Sequence, residues 1–299
     1  MSVRGSSLLG IAAAVILAGC AMSTAPATPP ALGMYGTDAS VTPSKPDATL
    51  RYADHPRGVA DLRVPVGKGP FPLAVIFHGG CWKAGIADRA YMAPLATRWQ
   101  QQGIATLNVD YREVGDGGGW PGSFADWAAA EDLLKDLVHD KRIDMARLTF
   151  VGHSAGALPA QWLASAQGPD GPAGARLPAF QADAIVFDGP ADLARDQAGF
   201  DALCQFSAVE PFMGGSVAQV PERYAAISPL GHPARLPRLL FIQAKLPAPD
   251  PDALAALRDA GSQVEVIENP GASHFDIITP GASAYEALEP KLLARLRHQ

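Results

Sequence analysis

The chain has 299 residues, 48% hydrophobic and 18% charged, with a formal net charge of −6. That is a globular composition, long enough for one large α/β domain, and no Lys/Arg cluster tracks a face, which argues against a nucleic-acid partner. Three cysteines, with no C-x-x-C pair or tight His/Cys cluster, give no reason to expect a structural metal.

The first residues read as a targeting segment. Leu8 to Ala18 is an apolar run, well short of the roughly 20 residues a bilayer span requires. It ends in Leu17-Ala18-Gly19-Cys20, which resembles a bacterial lipoprotein signal with its lipobox: small residues at the cleavage site, then a cysteine to be acylated. The expected organisation is a signal over residues 1–19, a lipidated Cys20 with an Ala/Pro/Thr-rich tether over 20–48, and a catalytic domain over 49–299. By resemblance to the lipoprotein sorting pattern, Ala21 after Cys20 implies the outer membrane, with the enzyme facing the periplasm. In an oxidising compartment the two remaining cysteines, Cys81 and Cys204, are a candidate disulfide pair, or else two small buried thiols.

The elements follow in chain order. Thr49–Tyr52 and Gly58–Val66 alternate as a first hairpin. Phe71–Phe77 is nearly all apolar, as in a strand buried on both faces, and runs into His78-Gly79-Gly80-Cys81-Trp82. Arg89–Gln102 has helical spacing and Ile104–Val109 reads as a strand. Ser123 then caps a helix through His139. A strand ends at Val151, followed by a helix over Ala155–Ser165, a Gly/Pro loop over Gln167–Pro178 and a strand over Ala184–Phe187. Residues 191–230 have the least regular pattern and read as a cap or insertion. Strands over Arg238–Gln243 and Gln263–Glu268 flank a helix over Asp252–Ala260, and a helix over Ala284–Leu296 closes the chain. Strands alternating with helices predict a parallel α/β sheet, with chemistry at the C-terminal strand ends.

Gly152-His153-Ser154-Ala155-Gly156 reads G-x-S-x-G between a strand and a helix. A strand that breaks sharply into a helix strains the turn residue, admits only small neighbours and presents the Ser154 hydroxyl at a helix N-terminus. Serine needs a base to become a nucleophile. His274, in a loop after the last predicted strand, is the candidate. The oxyanion donors expected are the backbone amides of Ala155, Gly80 and Cys81, because Gly79 and Gly80 let the backbone approach substrate. Trp82 is placed as a substrate-binding residue.

Together with Asp110-Tyr111-Arg112, Gly117-Gly118-Gly119-Trp120-Pro121-Gly122 and Gly271-Ala272-Ser273-His274-Phe275, these motifs resemble the α/β-hydrolase superfamily, and more narrowly its esterase/lipase branch with H-G-G-x-W. That branch includes feruloyl-esterase-like and kynurenine-formamidase-like enzymes. The resemblance covers about residues 55–298 and implies an eight-stranded sheet and ester or amide hydrolysis without a cofactor. One position departs from the pattern. The strand that usually precedes the acid ends in Gln243-Ala244-Lys245, and the spaced aspartate is missing. Asp250 is the expected acid, with Asp252 next and Asp188 a competitor because it ends the preceding strand. The reading is a lipid-anchored serine hydrolase acting on a small-molecule carboxylic ester. An amide or peptide hydrolase with the same site, and a non-catalytic envelope protein on a decayed hydrolase fold, are the alternatives.

Overall fold

The computed structural model describes residues 1, 40–165, 182–228, 238–246 and 249–299. The chain divides into two units, Met1–Ala31 and Leu32–Gln299, and every element below belongs to the second. Cys20, most of the expected tether and the Gln167–Pro178 loop lie outside the described residues.

In chain order the elements are β1 (Ala48–Arg51), β2 (Val59–Arg63), β3 (Phe71–Phe77), α1 (Ala93–Gln101), β4 (Ala105–Val109), α2 (Gly122–Leu137), β5 (Ile143–His153) and α3 (Ala157–Ser165). There follow β6 (Asp183–Phe187), α4 (Leu193–Cys204), α5 (Val209–Met213), α6 (Pro221–Ile227), β7 (Arg238–Gln243), α7 (Pro251–Asp259), β8 (Gln263–Glu268) and α8 (Ser283–Leu296). The eight strands form one sheet in the order β1-β2-β4-β3-β5-β6-β7-β8. Only the β1–β2 and β2–β4 pairings are antiparallel; the others are parallel.

The sequence of β3 explains why the sheet is covered on both sides. Successive side chains of a strand point to opposite faces. Leu73, Val75 and Phe77 join one core with Phe150, Val186, Trp127 and Trp162. Ala74 and Ile76 join a second core with Val151, Ile185, Trp99 and Tyr285. Helices α2, α3 and α7 supply apolar side chains to the first core, and α1 and α8 to the second. Apolar residues at every position of β3 are therefore required by two buried faces.

Three expectations change at their edges. The helix expected from Arg89 starts as a 3₁₀ turn over Arg89–Met92 before α1. Ser123 sits inside the first turn of α2 rather than before it; its hydroxyl donates to the Arg112 carbonyl (2.6 Å) and accepts from the Gly119 amide (2.9 Å), pinning the preceding loop. The irregular stretch after β6 is helical in its described part. Asp192 caps α4 by accepting from the Ala194 and Arg195 amides, and Gly214 ends α5 in a left-handed conformation. Those two signals, an N-cap aspartate and a C-cap glycine, mark a segment whose apolar spacing alone is weak.

Candidate active site

The elbow after β5 is built by steric exclusion. Ser154 has φ of 56°, a left-handed conformation that is costly for any residue with a Cβ. A Cβ on Gly152 would stand 1.9 Å from the Gly156 carbonyl oxygen, and one on Gly156 would stand 2.2 Å from that of Phe77. Both flanking glycines are thus necessary for the turn that lifts Ser154 off the sheet. Cys81, Trp82 and Asp188 also have positive φ, at 54°, 52° and 46°. Four of the six described non-glycine residues with positive φ thus lie just after three neighbouring strands, β3, β5 and β6; the other two are Gln205 and His298.

Asp188 follows β6, and its carboxylate is fully buried. Its Oδ2 accepts the Nδ1–H of His274 at 2.7 Å. The backbone amides of Ala244, Lys245 and Leu246 donate to the same carboxylate at 2.8–2.9 Å. Burial alone would raise this carboxyl's pKa, but the hydrogen bond and charge of His274 and the backbone donors hold it below the usual carboxylate range. An ionised Asp188 fixes the proton of His274 on Nδ1, which leaves Nε2 as an acceptor. The His274 loop is itself tied down: the Ser273 amide donates to Asp276 Oδ2 (2.9 Å) and the Asp276 amide donates to Ser273 Oγ (3.0 Å).

The expected acid was a different residue. Asp250 is the N-cap of α7, where it accepts from the Asp252 and Ala253 amides at 3.0 Å, and it pairs with Arg195 at 2.9 Å on the surface. Asp252 lies exposed in the first turn of the same helix. Neither approaches His274. The short loop after β7 gives three amide donors to Asp188, and the carboxylate that meets His274 follows the adjacent strand, β6.

The Gly79–Trp82 loop follows β3. A Cβ on Gly79 would lie 2.8 Å from the Cβ of Ser154, so only glycine admits the elbow this closely. Gly80 and Cys81 line the Ser154 cavity from this loop, and the Ala155 amide sits at the start of the turn that leads into α3. Trp82 does not line that cavity. It has no exposed surface, stacks on Phe212 (4.4 Å, 17°) and donates through Nε1 to the Ala155 carbonyl at 3.0 Å. Its indole therefore ties the loop to the elbow from beneath; the sequence does not reveal which way a side chain points after a left-handed turn.

A second connection runs through two residues that sequence reasoning passed over. The Gly79 amide donates to Tyr91 Oη, and Tyr91 Oη lies 2.9 Å from His153 Nδ1. His153 Nε2 lies 2.9 Å from the His274 carbonyl oxygen, which can only accept. His153 Nε2 must then carry the proton, and Nδ1 accepts from the Tyr91 hydroxyl. Burial, reinforced by the neighbouring His274, lowers the His153 pKa well below the ordinary imidazole value and keeps this tautomer neutral. All three bonds run in one direction, from the Gly79 loop through Tyr91 and His153 to the His274 backbone. In the sequence Tyr91 is one position of the helical spacing over Arg89–Gln102, and His153 is a variable position of G-x-S-x-G.

The cavity over Ser154 has a volume of about 260 Å³. Ser154, His153 and His274 form one end, and Leu203, Cys204 and Phe206 from the end of α4 form another. Cys81 and Cys204 are joined in a disulfide, with Cα atoms 6.0 Å apart and a sequence separation of 123. The cap is thereby bonded covalently to the loop that carries the Gly80 and Cys81 amides.

Beneath that loop lies a buried polar cluster. Arg57 donates to Glu113 Oε2 (2.5 Å), the Tyr111 carbonyl (2.8 Å) and the Ala87 carbonyl (3.2 Å). Asp110 pairs with Arg89 (2.8 Å) and His78 (3.1 Å). Burial would raise the Asp110 pKa, but His78, Arg57 and Arg89 hold it below the carboxylate range. Glu113 goes the other way. Burial, only partly offset by Arg57 and reinforced by Asp116 and Asp110, pushes its carboxyl up to about 9. Its Oε1 has no hydrogen-bond partner among the described residues and lies 3.1 Å from where a Cβ on Gly80 would stand.

A hydroxyl raised on a strained elbow, with a base whose proton is fixed by a buried carboxylate, is the arrangement of the serine carboxylesterase-type hydrolases on the α/β-hydrolase fold, and the protein is of that class. Residues 61–245 match the BD-FAE family, to which the chain belongs, in the esterase branch of that superfamily. Among solved structures it is similar to a truncated carbohydrate esterase from gut microbiota (18% identity, 87% of this chain and 99% of that one, TM-score 0.67). It is also similar to Thermogutta terrifontis esterase 2 phosphonylated by sarin (19% identity, 85% and 96%, TM-score 0.64). A bifunctional GH43-CE protein of Bacteroides eggerthii matches at 20% identity and TM-score 0.64 over 83% of this chain, which spans only 37% of that larger protein. At these identities the likenesses establish the fold. No curated protein matches by sequence.

Proposed function

We propose that the protein hydrolyses carboxylic esters through an acyl-enzyme on Ser154. His274 Nε2 takes the Ser154 proton as Oγ attacks the ester carbonyl. The imidazolium that forms is stabilised and kept in register by ionised Asp188. The amides of Ala155, Gly80 and Cys81 receive the oxyanion. His274 then returns the proton to the leaving alkoxide, and a water activated by the same base releases the acid. The observation that carries this reading is the 2.7 Å bond between His274 and a buried carboxylate that stays ionised. It also removes the ground for a non-catalytic reading, which was the missing acid. The test is labelling by a fluorophosphonate, with the adduct located by mass spectrometry. An adduct on Ser154, absent in Ser154→Ala, is expected. A folded protein that takes no label would overturn the assignment. Acylated sugars belong in the first substrate panel, because one structural neighbour is a carbohydrate esterase.

We further propose that the mature protein is anchored by lipid on Cys20 in the bacterial envelope, at the outer membrane facing the periplasm. The lipobox-like Leu17–Cys20 supports this, and so does the Cys81–Cys204 disulfide, a bond that persists in oxidising compartments. Among the described residues no helix is long and apolar enough to cross a membrane. Metabolic labelling with a fatty-acid analogue tests the anchor; incorporation that survives Cys20→Ala would refute it.

A further inference from the structure

A second cavity, of about 340 Å³, adjoins the one over Ser154. Cys81 and Phe206 line both. The second is completed by Lys83, Val114, Gly115 and Ser207, with the Trp82 indole beneath it. Phe206 is set between the two by Gln205, whose left-handed conformation (φ 63°) turns the chain at the end of α4. Lys83 is exposed, and its Nζ lies 4.6 Å over the Phe206 ring, with no carboxylate against it among the described residues.

The position of the proton donor tells the two sides of a substrate apart. The leaving alcohol must receive its proton from His274, so it departs on the His274 side. His274 and Phe275 line the first cavity and not the second. The second cavity is lined instead by Cys81, on the loop assigned to hold the carbonyl oxygen. The first cavity alone, at about 260 Å³, is below the roughly 300–1,000 Å³ of small-molecule sites, and the two together fall within that range.

We propose that this second cavity is the distal part of the acyl-binding site. It takes the far, apolar end of a long or aromatic acyl group, and Lys83 Nζ pairs with a carboxylate at that end. The substrate class is an ester of a bulky acid bearing a terminal anionic group. This rests on the ester-hydrolase reading above, and the test separates the two.

The purified protein is assayed with 4-nitrophenyl acetate, 4-nitrophenyl octanoate and the 4-nitrophenyl monoester of suberic acid, the ω-carboxylate of matching length. If none of the three esters is cleaved, the ester-hydrolase reading fails and the subsite proposal falls with it. If any is cleaved, kcat/KM is expected to favour the suberate over the octanoate by about threefold to fivefold, the range of a partly exposed ion pair. That preference disappears in Lys83→Met. In Ser207→Trp, which places bulk at an exposed part of the wall, the octanoate-to-acetate ratio falls roughly tenfold. Thermal melting checks the fold of each variant; should Ser207→Trp not fold, the Lys83→Met ratio decides, since that side chain is exposed. A suberate-to-octanoate ratio that is the same in Lys83→Met and the parent protein would overturn the proposal. So would an octanoate-to-acetate ratio unmoved in folded Ser207→Trp.

Discussion

Asp188 and His274 meet at 2.7 Å although 86 residues separate them in the chain. The pairing is made by the sheet: β6 lies beside β7 and β7 beside β8, so the residues that follow β6 and β8 come to the same end. Asp188→Asn is expected to lower kcat by up to about 10⁴, because the amide no longer fixes the His274 tautomer. Asp250→Asn is expected to leave kcat within twofold, since asparagine also caps a helix. Steady-state kinetics of the two variants side by side checks both; a kcat of Asp188→Asn within twofold of the parent protein would mean that the Asp188–His274 bond is not functional.

How much of this was legible follows from whether each signal is local. The elbow was readable because Gly152, Ser154 and Gly156 lie within one turn and the excluded volume acts between them. His274 was readable from its loop and its order after Ser154. The acid was not, because its identity depends on strand neighbours rather than on a motif. Asp188 ends a strand whose position beside β7 is a tertiary fact, while Asp250 sits where a motif would put the acid but serves as a cap. The same limit applies to Trp82, whose direction depends on the two left-handed residues Cys81 and Trp82, and to the Tyr91–His153 link, which joins the Gly79 and His274 loops through a 3₁₀ turn and a strand end.

Tyr91→Phe removes the one hydroxyl that both receives from Gly79 and donates to His153. The side chain keeps its packing, so KM should change little. A fall in kcat of about tenfold is expected, the size of a buried hydrogen bond left unmade. A change confined to KM would place Tyr91 in substrate contact instead of in support of the two loops.

Reduction of the disulfide should act on stability and rate together. A cross-link closing a loop of about 100 residues contributes roughly 2–4 kcal/mol in measured cases. Dithiothreitol is expected to lower the melting temperature by several degrees and to reduce kcat, because the loop carrying Gly80 and Cys81 loses its tie to α4. The Cys81→Ala/Cys204→Ala double variant should show the same changes and be indifferent to dithiothreitol. A reductant effect that persists in the double variant would point elsewhere.

Glu113 gives a pH signature. Its carboxyl titrates near 9 when folded, against an ordinary glutamate value in the unfolded chain. The folded state therefore favours the protonated form. The stability it contributes is complete below about pH 4.5 and is lost as pH rises toward 9. Glu113→Gln keeps the shape without the titration. Melting temperatures between pH 5 and 9 should fall less steeply in Glu113→Gln than in the parent protein; parallel curves would show that Glu113 does not titrate in this window.

The Cys81–Cys204 bond also constrains how the sequence can vary over time. Losing either cysteine alone leaves its partner as a free thiol on the wall of the Ser154 cavity, open to oxidation or to capture by another thiol. Losing both leaves an unlinked cap but no reactive group. Single changes at these two positions pass through a worse intermediate than either end state, so across descendants the two cysteines should be inherited or discarded as a pair.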